Sequence, residues 1–140
     1  MEHLQVIDHL STYATDFPAT ARWYDAALKT LGCGRVMELV ADWDPKFPTR
    51  RMAAYGPPGK PVLWVIEVPA KDKATPRHLA LTAASRANVD SFYRAAIDAG
   101  GRDNGAPGLR PDYHPNYYGA FVLDPDGNNV EAVCHQAAKM

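Results

Sequence analysis

The chain repeats itself, and each copy opens on a histidine. His9-Leu10 is followed fourteen residues on by Trp23-Tyr24, and His78-Leu79 is followed fourteen residues on by Phe92-Tyr93. At an offset of 69, residues 9–32 overlay residues 78–101 without a gap, and seven of the 24 pairs are identical. They are His9/His78, Leu10/Leu79, Ala14/Ala83, Tyr24/Tyr93, Ala26/Ala95, Ala27/Ala96 and Gly32/Gly101. A period of this length exceeds that of solenoid repeats and describes two copies of one supersecondary module. Equivalent histidines in paired modules can converge on the axis between them, which marks a candidate metal site.

The 140 residues amount to one domain, residues 1–140, holding module one (4–68) and module two (76–135). Such a chain buries roughly two-thirds of its unfolded surface, so a sizeable core is available. Fifteen basic against sixteen acidic residues, with no basic run, argue against a nucleic-acid partner. No apolar stretch approaches the roughly 18 residues of a membrane span, so no membrane association is expected. Met1–Asp8 lacks the basic and apolar regions of a secretory leader. Cys33 and Cys134 lie far apart with no metal-type spacing, and read as free thiols in a reducing cytoplasm.

Local patterns assign the elements. Residues 4–14 read as a strand with Leu4, Val6 and Leu10 on one face and His9 on the other. Asp16 and Pro18 open a helix whose apolar stripe is Phe17, Ala21, Tyr24, Leu28 and Leu31. Three strands follow at 35–41, 50–55 and 61–68. Residues 77–84 repeat the first strand, and Ser85, at the position of Asp16, caps a second helix that buries Val89, Tyr93, Ala96 and Ile97. Residues 102–116, rich in Gly and Pro, read as a long loop. A hairpin then runs from 117–123 to 129–134 across Asp124-Pro125-Asp126-Gly127. The expected fold is α+β: two tandem βαβββ modules in a cupped mixed sheet, helices on the outer face and a pocket on the inner one.

Three side chains stand out in this arrangement. His9 and His78 share one slot in the two first strands, and Glu131 lies in the last strand. Two imidazoles and a carboxylate suit Fe(II), Mn(II), Ni(II) or Zn(II), and three protein ligands leave open positions for chemistry. Matching the two turns at an offset of 68 pairs Glu131 with Leu63, which cannot ligate, so no fourth protein ligand is expected. Glu67 is four residues further along, about 13 Å at strand rise. His3 and His135 read as surface residues. Tyr113, His114, Tyr118 and Trp64 are candidates for lining the pocket.

The segments IDHLSTYATDFPATARWYDAAL, RHLALTAASRANVDSFYRAAIDAGG and YYGAFVLDPDGNNVEAV resemble the vicinal oxygen chelate superfamily of glyoxalase I, bleomycin resistance proteins and extradiol dioxygenases. The resemblance spans nearly the whole chain. It implies a cupped sheet around one divalent ion held by His9, His78 and Glu131. It also implies a small-molecule substrate bound through vicinal oxygens, and a homodimer in which two chains can share a site. The activities it implies are those of a lyase, isomerase or dioxygenase. Residues following the Glu strand do not carry the basic set of fosfomycin-modifying members, and the missing fourth ligand departs from glyoxalase I. The alternative within the same resemblance is a metal-free protein that sequesters a ligand, as bleomycin resistance proteins do.

Overall fold

Each copy of the repeat folds into a strand, a helix and three further strands, and the computed structural model describes residues 7–70 and 75–138. Module one comprises β1 (Leu10–Ala14), α1 (Phe17–Lys29), β2 (Gly34–Val40), β3 (Arg51–Gly56) and β4 (Leu63–Glu67). Module two comprises β5 (His78–Thr82), α2 (Arg86–Asp98), β6 (Arg102–Leu109), β7 (Tyr118–Leu123) and β8 (Asn129–Cys134). The sheets run β1-β4-β3-β2 and β5-β8-β7-β6. In each the first strand is parallel to the last and the other pairs are antiparallel. The expected α+β architecture of two tandem modules is therefore the one observed. Among the described residues no helix is long and apolar enough to cross a membrane.

The capping chemistry read from the sequence starts both helices. The Asp16 carboxylate accepts from the Ala19 amide at 3.2 Å and the Ser85 hydroxyl from the Asn88 amide at 3.1 Å. One face of each sheet packs against its helix, so Leu63 and Val65 of β4 and Val130 and Ala132 of β8 join the core. Trp64 and Glu131 point from the opposite, helix-free faces, as strand alternation requires. The helices also meet each other. The repeat-matched rings Trp23 and Phe92 are fully buried, and the Trp23 indole donates to the Ala96 carbonyl at 2.9 Å. Phe92, rather than the expected Tyr93, is the buried aromatic of α2; Tyr93 is only half-buried.

The Asp-Pro-Asp-Gly-Asn turn does more than reverse the chain. Asp124, Asp126 and Asn128 are all buried, and they plug into module one. Asp126 accepts from the Thr15 amide and, at 2.6 Å, from the Thr15 hydroxyl; the Thr20 hydroxyl approaches at 3.4 Å. Asp124 accepts from the Tyr24 hydroxyl at 2.7 Å and from the Asp126 and Asn128 amides. Asn128 donates to Thr12 and accepts from the Arg77 amide at 2.8 Å. Burial, followed by the Asp124 charge, raises the Tyr24 phenol well above its ordinary range, so it remains a donor.

Three local expectations change. The segment expected as a loop at 102–116 begins as β6, an edge strand. An edge tolerates Pro107, which has no N–H to give, and absorbs its register shifts around Gly105, which lies at φ +152°. Among the described residues β1 starts at Leu10 and does not take in residues 7–9 of the expected strand, because its parallel partner β4 begins only at Leu63, just past Pro61 and Val62. Leu4, Val6 and His3 lie outside the described residues. The third change concerns the carboxylate slot. Ser11 pairs with Trp64 and Ala80 with Glu131; across the hairpins, Ala54 pairs with Trp64 and Phe121 with Glu131. Trp64, not Leu63, is thus the module-one counterpart of Glu131. The glycines at positive φ in the two turns, Gly59 and Gly127, are one residue out of step with the strands and misled the turn-based match.

A Cβ on Gly101 would lie 2.5 Å from Val122, 2.6 Å from the Trp23 indole nitrogen and 2.7 Å from the Ala96 carbonyl oxygen. Gly101→Ala should cost about 2–3 kcal/mol in urea unfolding, whereas Gly34→Ala, with nothing within 4 Å, should stay within about 0.5 kcal/mol of wild type. Asp126→Ala strands the Thr15 amide and hydroxyl and should cost about 2–3 kcal/mol. An unchanged urea midpoint in Asp126→Ala would show that the turn does not hold the modules together.

Candidate functional site

His78 opens β5 and Asn129 opens β8, and the parallel register sets them side by side. Two residues further along β8, Glu131 points from the same face. The result is a meeting of His78 Nε2 and Glu131 Oε1 at 3.1 Å, at the floor of a cavity of about 350 Å³. His78, Tyr113, Tyr117, Phe121, Asn129 and Glu131 line it. Glu131 is 2 % exposed, while the His78 ring is half-open to solvent.

The polar contacts of the pair define its chemistry. His78 Nδ1 lies 3.2 Å from the Asn129 carbonyl oxygen. A carbonyl can only accept, so Nδ1 carries a proton, and in the neutral ring Nε2 presents its lone pair to the carboxylate. Two acceptors facing each other repel unless a proton or a cation lies between them. The separation matches that of adjacent ligands on an ion bonded at about 2.0–2.2 Å. A backbone carbonyl on the far nitrogen is also the usual support of a ligating imidazole. Glu131 Oε2 is held from the other side by the Tyr117 hydroxyl, which donates to it. His9 shows the same division of labour: its Nδ1 donates to the Asp8 carboxylate at 2.6 Å and Nε2 is the second ring nitrogen. His9 is exposed and does not line the cavity. Among the described residues no three His, Cys, Asp or Glu side chains of one chain gather closely enough to hold an ion.

The other expected lining residues separate. Tyr113 lines the cavity and meets Tyr117 edge to face at 4.9 Å. His114 lies behind it: its Nδ1 accepts from the Asn116 amide, and its Nε2 therefore donates to His135 Nδ1 at 2.8 Å. These two imidazoles stack on each other at 5.0 Å and both meet the Tyr117 ring edge to face, at 5.5 and 5.3 Å. Tyr118 turns to the helix side, where its hydroxyl donates to Asp90 at 2.6 Å beneath the Arg86 guanidinium. Trp64 stands on the helix-free face of sheet one and does not line this cavity. Tyr117 and Phe121 line the cavity and were not among the expected residues. Alternation on β7 could have found them, because the residue opposite Glu131 is Phe121, and site-facing positions there are odd-numbered.

Burial and then the Glu131 carboxylate push the Tyr117 phenol up to about 12. The shift favours the protonated phenol, so the bond to Glu131 is fully present below about pH 10 and is lost as pH rises through about 12. In the difference between wild type and Tyr117→Phe, tyrosinate absorbance should therefore stay low at pH 10–11, where an exposed phenol ionises. A midpoint near 10 would mean that Glu131 does not hold this proton.

Residues 6–132 match the family model described as Glyoxalase/Bleomycin resistance protein/Dioxygenase superfamily. No curated protein sequence matches the chain. Among solved structures, a glyoxalase/bleomycin resistance protein from Albidiferax ferrireducens T118 is 24% identical, covers 92% of this chain and 98% of its own, and has a TM-score of 0.65. A glyoxylase/bleomycin resistance protein/dioxygenase domain from Frankia sp. EAN1pec is 19% identical, with 96% and 100% coverage and a TM-score of 0.68. Glyoxalase I from Zea mays is 18% identical with a TM-score of 0.68; the match covers 96% of this chain and 45% of that longer one. At these identities the structural likeness concerns the fold.

Proposed function

The chain belongs to the Glyoxalase/Bleomycin resistance protein/Dioxygenase superfamily, and from that membership we propose that it is a divalent-metal-dependent enzyme whose site is completed between two copies. The observation that carries the reading is the facing pair His78 Nε2 and Glu131 Oε1, 3.1 Å apart, with each far atom already engaged. His78 and Glu131 of one copy and His9 of a second would hold one ion, of iron, manganese, nickel or zinc. His9 fits the partner role because it is exposed and keeps Nε2 for a ligand while Asp8 holds Nδ1. The exposed Ile7 and Leu10 beside it suit a subunit contact. The buried Cys134 and half-buried Cys33, both free, accord with a cytoplasmic protein.

The substrate is a small molecule bearing two neighbouring oxygens. When bound, the ion supplies Lewis-acid polarisation of those oxygens. The chain's own residues do the rest. Asn129 fixes the His78 tautomer and ring plane, and Tyr117 fixes the Glu131 rotamer. Tyr113, Tyr117 and Phe121 form an aromatic wall that limits water at the cavity floor. The Tyr117 hydroxyl, protonated across the physiological range, is a hydrogen-bond donor beside the reacting centre.

Elemental analysis tests the ligand set and its sharing together. Wild type should carry about one transition-metal ion per chain, and Glu131→Ala and His9→Ala should each lose it. Unfolded together and refolded as a mixture, the two variants should recover about a quarter of the wild-type metal, because only half of random dimers are mixed and one of their two sites is intact. Full metal retention in His9→Ala would remove that residue from the site. No recovery on mixing would return the site to a single chain.

A further inference from the structure

The strand registers put Trp64 in module one where Glu131 stands in module two. The exchange is matched on the neighbouring strand: Ala54 faces Trp64, and Phe121 faces Glu131. Each slot thus holds one ring and one smaller side chain, with their strands swapped. Around Trp64, the same face of sheet one presents Ile66, Met52, Leu39 and Met37, as strand alternation and pairing require. None of these four is charged; on the β1 side the face continues with Tyr13 and Ser11, and His9 precedes them at the slot that His78 holds in module two. The Arg77 guanidinium lies over the Tyr13 ring at 4.7 Å, and the other cations nearby are paired. Arg35 is paired with Asp25 and Glu38, Arg50 with Asp44, and Arg51 with Glu67. On the module-two side, Arg110 is spent on the Gly108 and Ala106 carbonyls and lies over Phe121.

We propose that Trp64 is a specificity-determining residue: its indole is the wall on which the apolar part of the substrate stacks, opposite the chelating groups of module two. The inference rests on the shared-site reading above, in which the helix-free faces of both module types border one pocket. A site polar on one side and apolar on the other selects a ligand with two vicinal oxygens at one end and a flat ring at the other. Aromatic stacking favours offset or edge-to-face contact and adds to the area buried.

Two hydroxamates isolate the ring. Acetohydroxamate and benzohydroxamate carry the same pair of vicinal oxygens and differ only in methyl against phenyl. On Zn(II)-loaded wild type, titration calorimetry should give benzohydroxamate about tenfold tighter binding. Trp64→Ala should bring the ratio close to one while leaving acetohydroxamate affinity and metal content unchanged. Trp64→Phe should keep most of the preference, since a ring remains. A tenfold preference that survives in Trp64→Ala overturns the proposal, and so does the absence of any preference in wild type. Metal content separates this failure from failure of the underlying reading. A wild type that holds no ion, or a Glu131→Ala variant that holds it fully, sinks the shared metal site and the Trp64 role with it. Normal metal loading with an unaffected ratio sinks only the latter.

Discussion

Two carboxylates, Asp124 and Asp126, are buried between the modules, and among the described residues neither forms an ion pair. Burying a charge is costly unless donors surround it. Here the donors come from both sides. The Asp126 and Asn128 amides and the Asn128 side chain belong to the turn itself, whereas Thr15 lies between β1 and α1 and Thr20 and Tyr24 lie in α1. The turn is therefore stable in its buried conformation only when module one is docked against it. The consequence reaches the site directly. Asn128 holds the Arg77 amide at the entrance to β5, so His78 enters beside Asn129, and Glu131 follows two residues on. The corresponding turn of module one, Pro57–Lys60, is exposed and has no such groups.

This dependence explains what could be read along the chain and what could not. The duplication, both helix caps, the apolar stripe of α1 and the hairpin turn are signals spaced over a few residues, and each appears where the spacing puts it. His78 and Glu131 were legible because one opens a repeat and the other follows a recognisable turn. The latch was not, since its partners are about a hundred residues apart: Tyr24 with Asp124, Thr20 with Asp126. A sequence containing Asp-Pro-Asp-Gly announces a turn, but the same residues serve whether the turn is solvated or buried. Tyr117 was passed over for Tyr118 through a one-residue error of facing, and in a strand one residue exchanges the core side for the site side. The Leu63 assignment failed by the same measure: turns aligned on glycine were one residue out of step with the strands they join.

The corrected register changes what duplication contributes to the site. Two copies of a module offer two equivalent slots on an approximate axis, and symmetry alone would fill both with carboxylates. Holding Glu131 in place takes the Tyr117 hydroxyl, the small Gly119 beside it and the docked turn below. Gly119 has little room to vary, since a Cβ there would lie 3.2 Å from the Tyr117 ring and 3.3 Å from Glu131 Oε2. Module one has Met52 at that strand position, as the pairings Met52 with Ile66 and Gly119 with Val133 require, and its turn is not docked. A carboxylate at position 64 would thus enter an apolar face without the donors that stabilise its counterpart, and an indole is the better occupant. The same asymmetry that latches one turn and frees the other leaves the carboxylate to module two alone, while module one sets an indole in that slot. In the shared pocket proposed above, the carboxylate and the indole would stand on opposite sides and polarise it across its width.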